Sequence, residues 1–251
     1  MHDLSASAIM YADDLVLLAP SISELQNMVR ICSEELSLID LKLNTKKSVC
    51  LRIGKRFKKV CCHINAGTSI IEWATEVKYL GIYIKSNSKF SCDVNKSKIK
   101  YYRAANAILG KLGHQDNAAA SLHLLGSIAL PVLTYSIEAL SLNQTQLVEL
   151  DHPWLRSNMK IFGTYDLNIT KQCQLYAGVL PIPYYYAIQY MRFLSKIKNC
   201  DNSLLQMISS VHADNNVARL AQRYNCNVDL FTKDYEIIIR TEFKAIAMAG
   251  G

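Results

Sequence analysis

Ile9-Met10-Tyr11-Ala12-Asp13-Asp14-Leu15-Val16-Leu17-Leu18 sets two short apolar runs on either side of an acidic pair. Runs this brief, halted by Pro20, predict two strands joined by a tight turn rather than one helix. Ser21 and Glu24 then offer a capping box, and Leu25, Met28, Val29, Cys32, Leu36 and Ile39 recur at helical spacing. An amphipathic helix is therefore expected from about Ile22 to Asp40. Ser48 to Ile53 reads as a strand, Gly54 to Lys59 as a basic loop, and His63 to Ile70 as a hairpin turning at Asn65 to Gly67. Val77 to Ile84 is a further β-rich run. Strands and one helix in this order make the first ninety or so residues a mixed α+β unit.

From Asp93 the texture becomes helical. Asp93 to Leu112 carries a basic face; Asn117 to Leu140, interrupted near Pro131, and Gln144 to Phe162 follow. Tyr184 to Lys198, Ser203 to His212 and Val217 to Tyr224 continue the pattern, and Ala247 to Gly251 is expected to fray. Pro181-Ile182-Pro183-Tyr184-Tyr185-Tyr186 has the aromatic content of a base-stacking platform. No basic residues interleave it, so a packed junction between loop and helix is the better reading. His63, His114 and His152 show no paired spacing and are assigned no catalytic role.

Half the residues are apolar and Gly and Pro are sparse, as in a folded rather than a disordered chain. Apolar stretches such as Leu122 to Leu133 are broken by His123 and Pro131 and read as too short to span a membrane. The N-terminus lacks the basic and apolar regions of a secretory signal, so an intracellular protein is expected. The eight cysteines share no spacing, and Cys61-Cys62-His63 has no second half with which to close a zinc site. Free thiols in a reducing compartment are expected.

The net charge of +7 is confined to the first part of the chain. Through Lys111 there are 17 basic residues against 10 acidic, and beyond it 11 of each. Between Asp40 and Glu72 no acid occurs, while Lys42, Lys46, Lys47, Arg52, Lys55, Arg56, Lys58 and Lys59 do. Between Asp93 and Asp116 the same holds around Lys96, Lys98, Lys100, Arg103 and Lys111. Such stripes suit a polyanion, because neutralised phosphates release condensed counterions; a merely solvated basic surface is the alternative.

Repulsion and partial desolvation both disfavour two adjacent ionised aspartates. A hard divalent cation relieves the conflict, since Mg²⁺ binds through one or two carboxylates together with substrate phosphates. Asp13 and Asp14 are thus candidate metal ligands.

Tyr11-Ala12-Asp13-Asp14 with its flanking strands, Asn44-Thr45-Lys46-Lys47-Ser48, Tyr79-Leu80-Gly81 and Ala104-Ala105-Asn106-Ala107-Ile108-Leu109 occur in an order that resembles the reverse transcriptases of non-LTR retrotransposons. The resemblance is strong over Met10 to Leu109, fair to about Gly163 and weak beyond. It implies an α+β partial polymerase palm over residues 1–91, a helical thumb-like region over 92–165 and a helical extension over 166–251. Asp13 and Asp14 become catalytic ligands of Mg²⁺ or Mn²⁺, with Asp13 the principal one. Lys47 faces the incoming triphosphate and donates a proton to the departing pyrophosphate. Tyr11 and Ala12 lie near the primer terminus, Tyr79, Leu80 and Gly81 grip the primer, and Lys96, Lys100 and Arg103 meet duplex phosphates. The implied partners are an RNA template, a DNA primer and a deoxynucleotide, with no membrane; the implied place of action is chromosomal DNA.

The family's first catalytic aspartate lies on a separate strand well upstream of this turn, and Asp3 has no matching context. The chain is therefore expected to lack that ligand and the nucleotide-selecting elements, and not to polymerise DNA by itself. A non-catalytic basic module that binds nucleic acid and a degenerate remnant of a mobile element are the other readings open at this point.

Overall fold

In a computed structural model, described for residues 7–112, 117–207, 222–223 and 234–249, the chain is α+β and divides into two compact units, Met1–Asp93 and Val94–Gly251. Asp3, His114 and Asp116 lie outside the described residues.

Unit 1 begins with β1 (Ala8–Tyr11) and β2 (Asp14–Leu17), an antiparallel two-stranded sheet, and continues into α1 (Ile22–Leu38). Ser21 caps α1 by accepting from the Glu24 N–H at 3.2 Å, the first of the two bonds of the expected capping box. The helix stops at Leu38 rather than Asp40, because Asp40 takes the left-handed conformation (φ 57). Its N–H donates to Ser37 and that of Leu41 to Leu36, which closes a Schellman motif with Asp where Gly is usual.

Next come β3 (Val49–Leu51), β4 (Ile64–Ala66) and β5 (Ser69–Ala74), ordered β3-β5-β4 with β3 parallel to β5. The β4–β5 hairpin turns at Gly67 and Thr68, later than expected, since Ala66 pairs with Ser69 and Gly67 supplies the positive φ. A third sheet holds β6 (Glu76–Tyr79), β7 (Ile82–Lys85) and β8 (Ser91–Cys92).

The core of unit 1 is small: Val29, Cys50, Ile64 and Ile71, with Leu17, Ile22, Leu25 and Trp73 packed on it. Hydrogen bonds supplement it. The Gln26 amide reaches from α1 to the outer edge of β4, donating to the Asn65 carbonyl at 2.8 Å and accepting from its N–H at 2.7 Å. Both exposed backbone groups of an edge residue are thereby satisfied by a helix side chain.

Unit 2 is helical: α2 (Asn95–Leu112), α3 (Ala118–Leu124), a π-helical turn (Leu125–Ala129), α4 (Leu130–Leu133), a 3₁₀ turn (Ile137–Ala139), α5 (Gln144–Phe162), α6 (Leu167–Tyr176), α7 (Ile182–Lys198) and α8 (Asp234–Ala249). The proposed break at Pro131 falls elsewhere. The π turn before it widens the helix where the proline can make no backbone bond, and the chain leaves the helix only after Leu133. Counted through the turns after Leu133, residues Ala118–Ala139 make a 22-residue segment with an 18-residue stretch of mean hydropathy 1.5, long and apolar enough to cross a membrane by length and composition. That corrects the expectation of a run too short to do so. In this fold Leu125, Ala129, Leu133 and Ile137 are buried in the core of unit 2.

Trp154 of α5 lies at the heart of that core, 1% exposed, edge-on to Tyr101 and donating to the Leu180 carbonyl at 3.0 Å. Of the tyrosines near Pro181, Tyr186 stacks on Tyr190 and Tyr184 packs on Phe243, so the segment is a packed junction. Helix α7 starts two residues before the expected Tyr184. Its N-cap position is Pro181, which has no side-chain acceptor; Asp151 of α5 supplies one, accepting from the Ile182 N–H at 2.8 Å.

Helices α6 and α8 fall within the helical extension expected over 166–251, although periodicity marks neither of them individually. Tyr235, Ile239, Phe243 and Ala247 form the buried stripe of α8, so the segment expected to fray is helical through Ala249. Of the helix expected over 203–212, residues 203–207 are described and helical; of that over 217–224, only 222–223 are described.

Candidate active-site hairpin and nucleic-acid interface

The β1–β2 register pairs Tyr11 with Asp14, which leaves Ala12 and Asp13 as a two-residue loop. Ala12 has φ 52, a sign of φ that residues with a Cβ rarely adopt. Positive φ at the first loop position alone is the type II′ pattern, where Gly is usual. Leu17 packs on the core of unit 1, so strand alternation directs Asp14 and Val16 to the opposite face. Asp13 and Asp14 are both exposed. The desolvation expected of this pair is therefore absent, and mutual repulsion is what a cation would relieve. Tyr11, 63% exposed, stands beside Asp14 across the ladder.

Two exposed carboxylates fit the protein's share of one Mg²⁺ site, which needs one or two such ligands. Among the described residues no group of three His, Cys, Asp or Glu side chains comes together. Cys61, Cys62 and His63 are no exception: Cys62 and His63 are exposed and Cys61 meets the Arg52 guanidinium. Buried Cys50 has its thiol pushed up to about 11, by burial first and the neighbouring Cys61 second.

Asn44 to Ser48 forms an isolated helical turn that leads into β3. The Asn44 carbonyl accepts from the N–H groups of Lys47 (3.0 Å) and Ser48 (2.9 Å) and from the Ser48 hydroxyl (2.9 Å). Its side-chain oxygen accepts from the Lys47 N–H at 3.3 Å. The turn presents Lys47 to solvent. Asn44 and Ser48 were not singled out as site residues, although Asn before a short helical turn is a recognisable capping signal.

Tyr79 pairs with Ile82, so Leu80 and Gly81 are the loop of the β6–β7 hairpin. Their φ values of 43 and 87 make it a type I′ turn. Leu80 and Gly81 are exposed, and Tyr79 is half-buried. In unit 2, α2 buries Tyr101, Ala105 and Leu109 and exposes Lys96, Lys100 and Arg103 on another face. Lys98 of the same helix pairs with Glu149 at 3.4 Å. Within unit 1 the structure holds the acidic loop, the Asn44 turn and the Leu80-Gly81 turn on one small scaffold; the α2 cations belong to the other unit.

Residues 2–84 match the family described as reverse transcriptase (RNA-dependent DNA polymerase). The chain is 28% identical over 156 residues to an uncharacterized transposon-derived protein of Caenorhabditis elegans, a match that covers 59% of this chain. It spans about half, 54%, of that relative's length. No solved structure matches the chain. Residues 2–84 are thus similar to reverse transcriptases, and the Caenorhabditis elegans relative is described as transposon-derived.

Proposed function

We propose that this chain forms part of an RNA-directed DNA polymerase of the non-LTR retrotransposon kind, with an RNA template, a DNA primer and deoxynucleotides as its partners. The observation that carries this reading is the β1–β2 turn, which exposes adjacent carboxylates at the tip of a hairpin. Asp13 is the principal metal ligand and Asp14 the second. Bound there, Mg²⁺ or Mn²⁺ would neutralise phosphate charge and lower the pKa of the primer hydroxyl. Tyr11 and Ala12 border the primer end. Lys47, held outward by the Asn44 turn, pairs with the triphosphate and supplies a proton to the leaving pyrophosphate. The Tyr79-Leu80-Gly81 turn lets backbone approach the primer where Gly81 has no side chain. On α2, Lys96, Lys100 and Arg103 take duplex phosphates.

One carboxylate pair is too small a ligand set for two ions, so a two-metal step needs a further acidic group beside Asp13 and Asp14. Two measurements test this. Substoichiometric Mn²⁺ should broaden the amide resonances of Tyr11 to Leu15 in the wild type and spare them in Asp13→Asn; no broadening would end the metal reading. Primer extension on RNA by the folded chain should be absent. Extension that Asp13→Asn abolishes would keep the function and refute the incomplete ligand set.

A further inference from the structure

Seven basic side chains of unit 1, those of Lys42, Lys46, Lys47, Lys55, Arg56, Lys58 and Lys59, are exposed. None of them takes part in an ion pair among the described residues. Four of them fall within five residues, on the loop that joins β3 to β4. Charges of one sign crowded on a flexible tail would spread apart, but this loop is pinned.

At its base the Gly54 N–H donates to the Asn87 carbonyl at 2.9 Å, and the Ser86 hydroxyl donates to the Arg52 carbonyl at 2.7 Å. Two successive turns shape it, with Phe57 N–H donating to Gly54 and Lys59 N–H to Arg56, each at 3.0 Å. Arg52 faces inward. Its guanidinium lies 5.1 Å from the centre of the Trp73 ring, donates to the Arg56 carbonyl at 3.0 Å and meets Cys61 Sγ. On the returning limb, the Trp73 indole N–H donates to the Cys62 carbonyl at 2.9 Å. One cation of the basic run is thus used as scaffold, and the next four are held out from a fixed loop.

We propose that the loop from Gly54 to Val60 is a phosphate-contact site of its own, in which Lys55, Arg56, Lys58 and Lys59 bind the sugar-phosphate backbone of nucleic acid without reading its sequence. Only the identity of the polyanion rests on the polymerase reading. Fixed like charges with no ion-pair partner among the described residues repel one another, and a row of phosphates relieves that repulsion while releasing counterions. An anionic bilayer suits the loop less well. Phe57 is half-buried beneath the Lys58 ammonium, 5.5 Å from its ring, which leaves Val60 as the loop's one exposed large apolar side chain.

The test compares the full chain with its quadruple variant Lys55→Gln, Arg56→Gln, Lys58→Gln, Lys59→Gln. A labelled RNA–DNA hybrid and phosphatidylserine vesicles serve as probes across a salt series. With four phosphate contacts at about 0.7–0.9 counterions each, the slope of log affinity against log salt should become shallower by about three in the variant. Affinity at low salt should fall about tenfold or more, with the melting temperature unchanged. An unchanged slope for the hybrid overturns the proposal, and so does a loss confined to vesicle binding. The Mn²⁺ experiment separates this inference from the polymerase reading. If Mn²⁺ fails to find Asp13 while the slope still drops, the loop stands and the polymerase reading falls; the reverse pattern leaves the polymerase reading and refutes the loop.

Discussion

The two units of this chain hold themselves together by different means. Among the described residues, four buried apolar side chains belong to unit 1 and twenty-three to unit 2. Unit 2 closes around Trp154 with helices packed on several sides of it. Unit 1 leaves Ile9, Met10, Tyr11, Leu15 and Leu18 of its first hairpin exposed, together with Ile31 and Leu38 of α1. It relies on hydrogen bonds placed at turns and edges: the Asn44 turn, the Gln26 amide on β4 and the Arg52 clamp. A site on a lightly buried scaffold keeps its geometry only while those polar links hold, because each contributes about 0.5–1.5 kcal/mol and no deep core stands behind it.

Each unit contains one of the two tryptophans, Trp73 and Trp154, so fluorescence can follow them apart, with Trp73→Phe isolating the signal of unit 2. The largest expected effect is that of Trp154→Ala, which should destabilise unit 2 by about 3–5 kcal/mol in denaturant titrations. A loss below 1 kcal/mol would mean that the core is not what holds this unit.

Next comes Asp151. Burial pushes its carboxyl up from 3.8 to about 6, against the opposing pull of the Ile182 N–H, Lys171 and His152. Because the folded state holds the proton more tightly, stability should fall as the pH rises from about 4 to about 6 and then level off. Asp151→Asn keeps an acceptor for Ile182 and has no charge to bury. It should flatten that profile and leave the variant more stable at neutral pH, on the order of 3 kcal/mol. Equal pH profiles for the two proteins would show that Asp151 ionises without strain.

The smallest expected change is in unit 1. Gln26→Ala removes both partners of the Asn65 backbone, and loss of about 1–2 kcal/mol is expected, with faster amide exchange at Asn65. If exchange there is unaltered, water replaces the glutamine at no cost and unit 1 is less dependent on its polar links than proposed.

Much of this was legible in the sequence. The acidic turn, the N-cap of α1 and the span of α5 follow from local signals: two short apolar runs, a Ser ahead of a periodic stretch, apolar residues at helical spacing. The β-rich run from Val77 to Ile84 instead hid the turn at Leu80-Gly81 that splits it into β6 and β7. What the sequence concealed was settled between elements distant in the chain. Gln26 reads as a solvent-facing helix residue until β4 lies beside it. Arg52 reads as one cation among eight until Trp73 and the Arg56 carbonyl surround it. Asp151 has no local sign of capping a helix that begins thirty-one residues later. The bounds of helix α8, within the helical extension that the resemblance implies, are hard to read because its buried stripe, Tyr235 to Ala247, is interleaved with exposed Ile237, Ile246 and Met248.

Ala12 and Leu80, each with positive φ at a loop that the proposed function sets beside the primer, have a consequence for how relatives of this chain vary. At such positions Gly, Asn and Asp relax the backbone, while β-branched side chains strain it further. Variation there is narrowed by chain geometry before chemistry has any say. A column of related sequences would therefore show restraint at both sites even if neither ever touched a nucleotide. The pattern of replacement distinguishes the two causes: geometry admits glycine and asparagine freely, whereas a side chain held by its contact with nucleic acid would resist both.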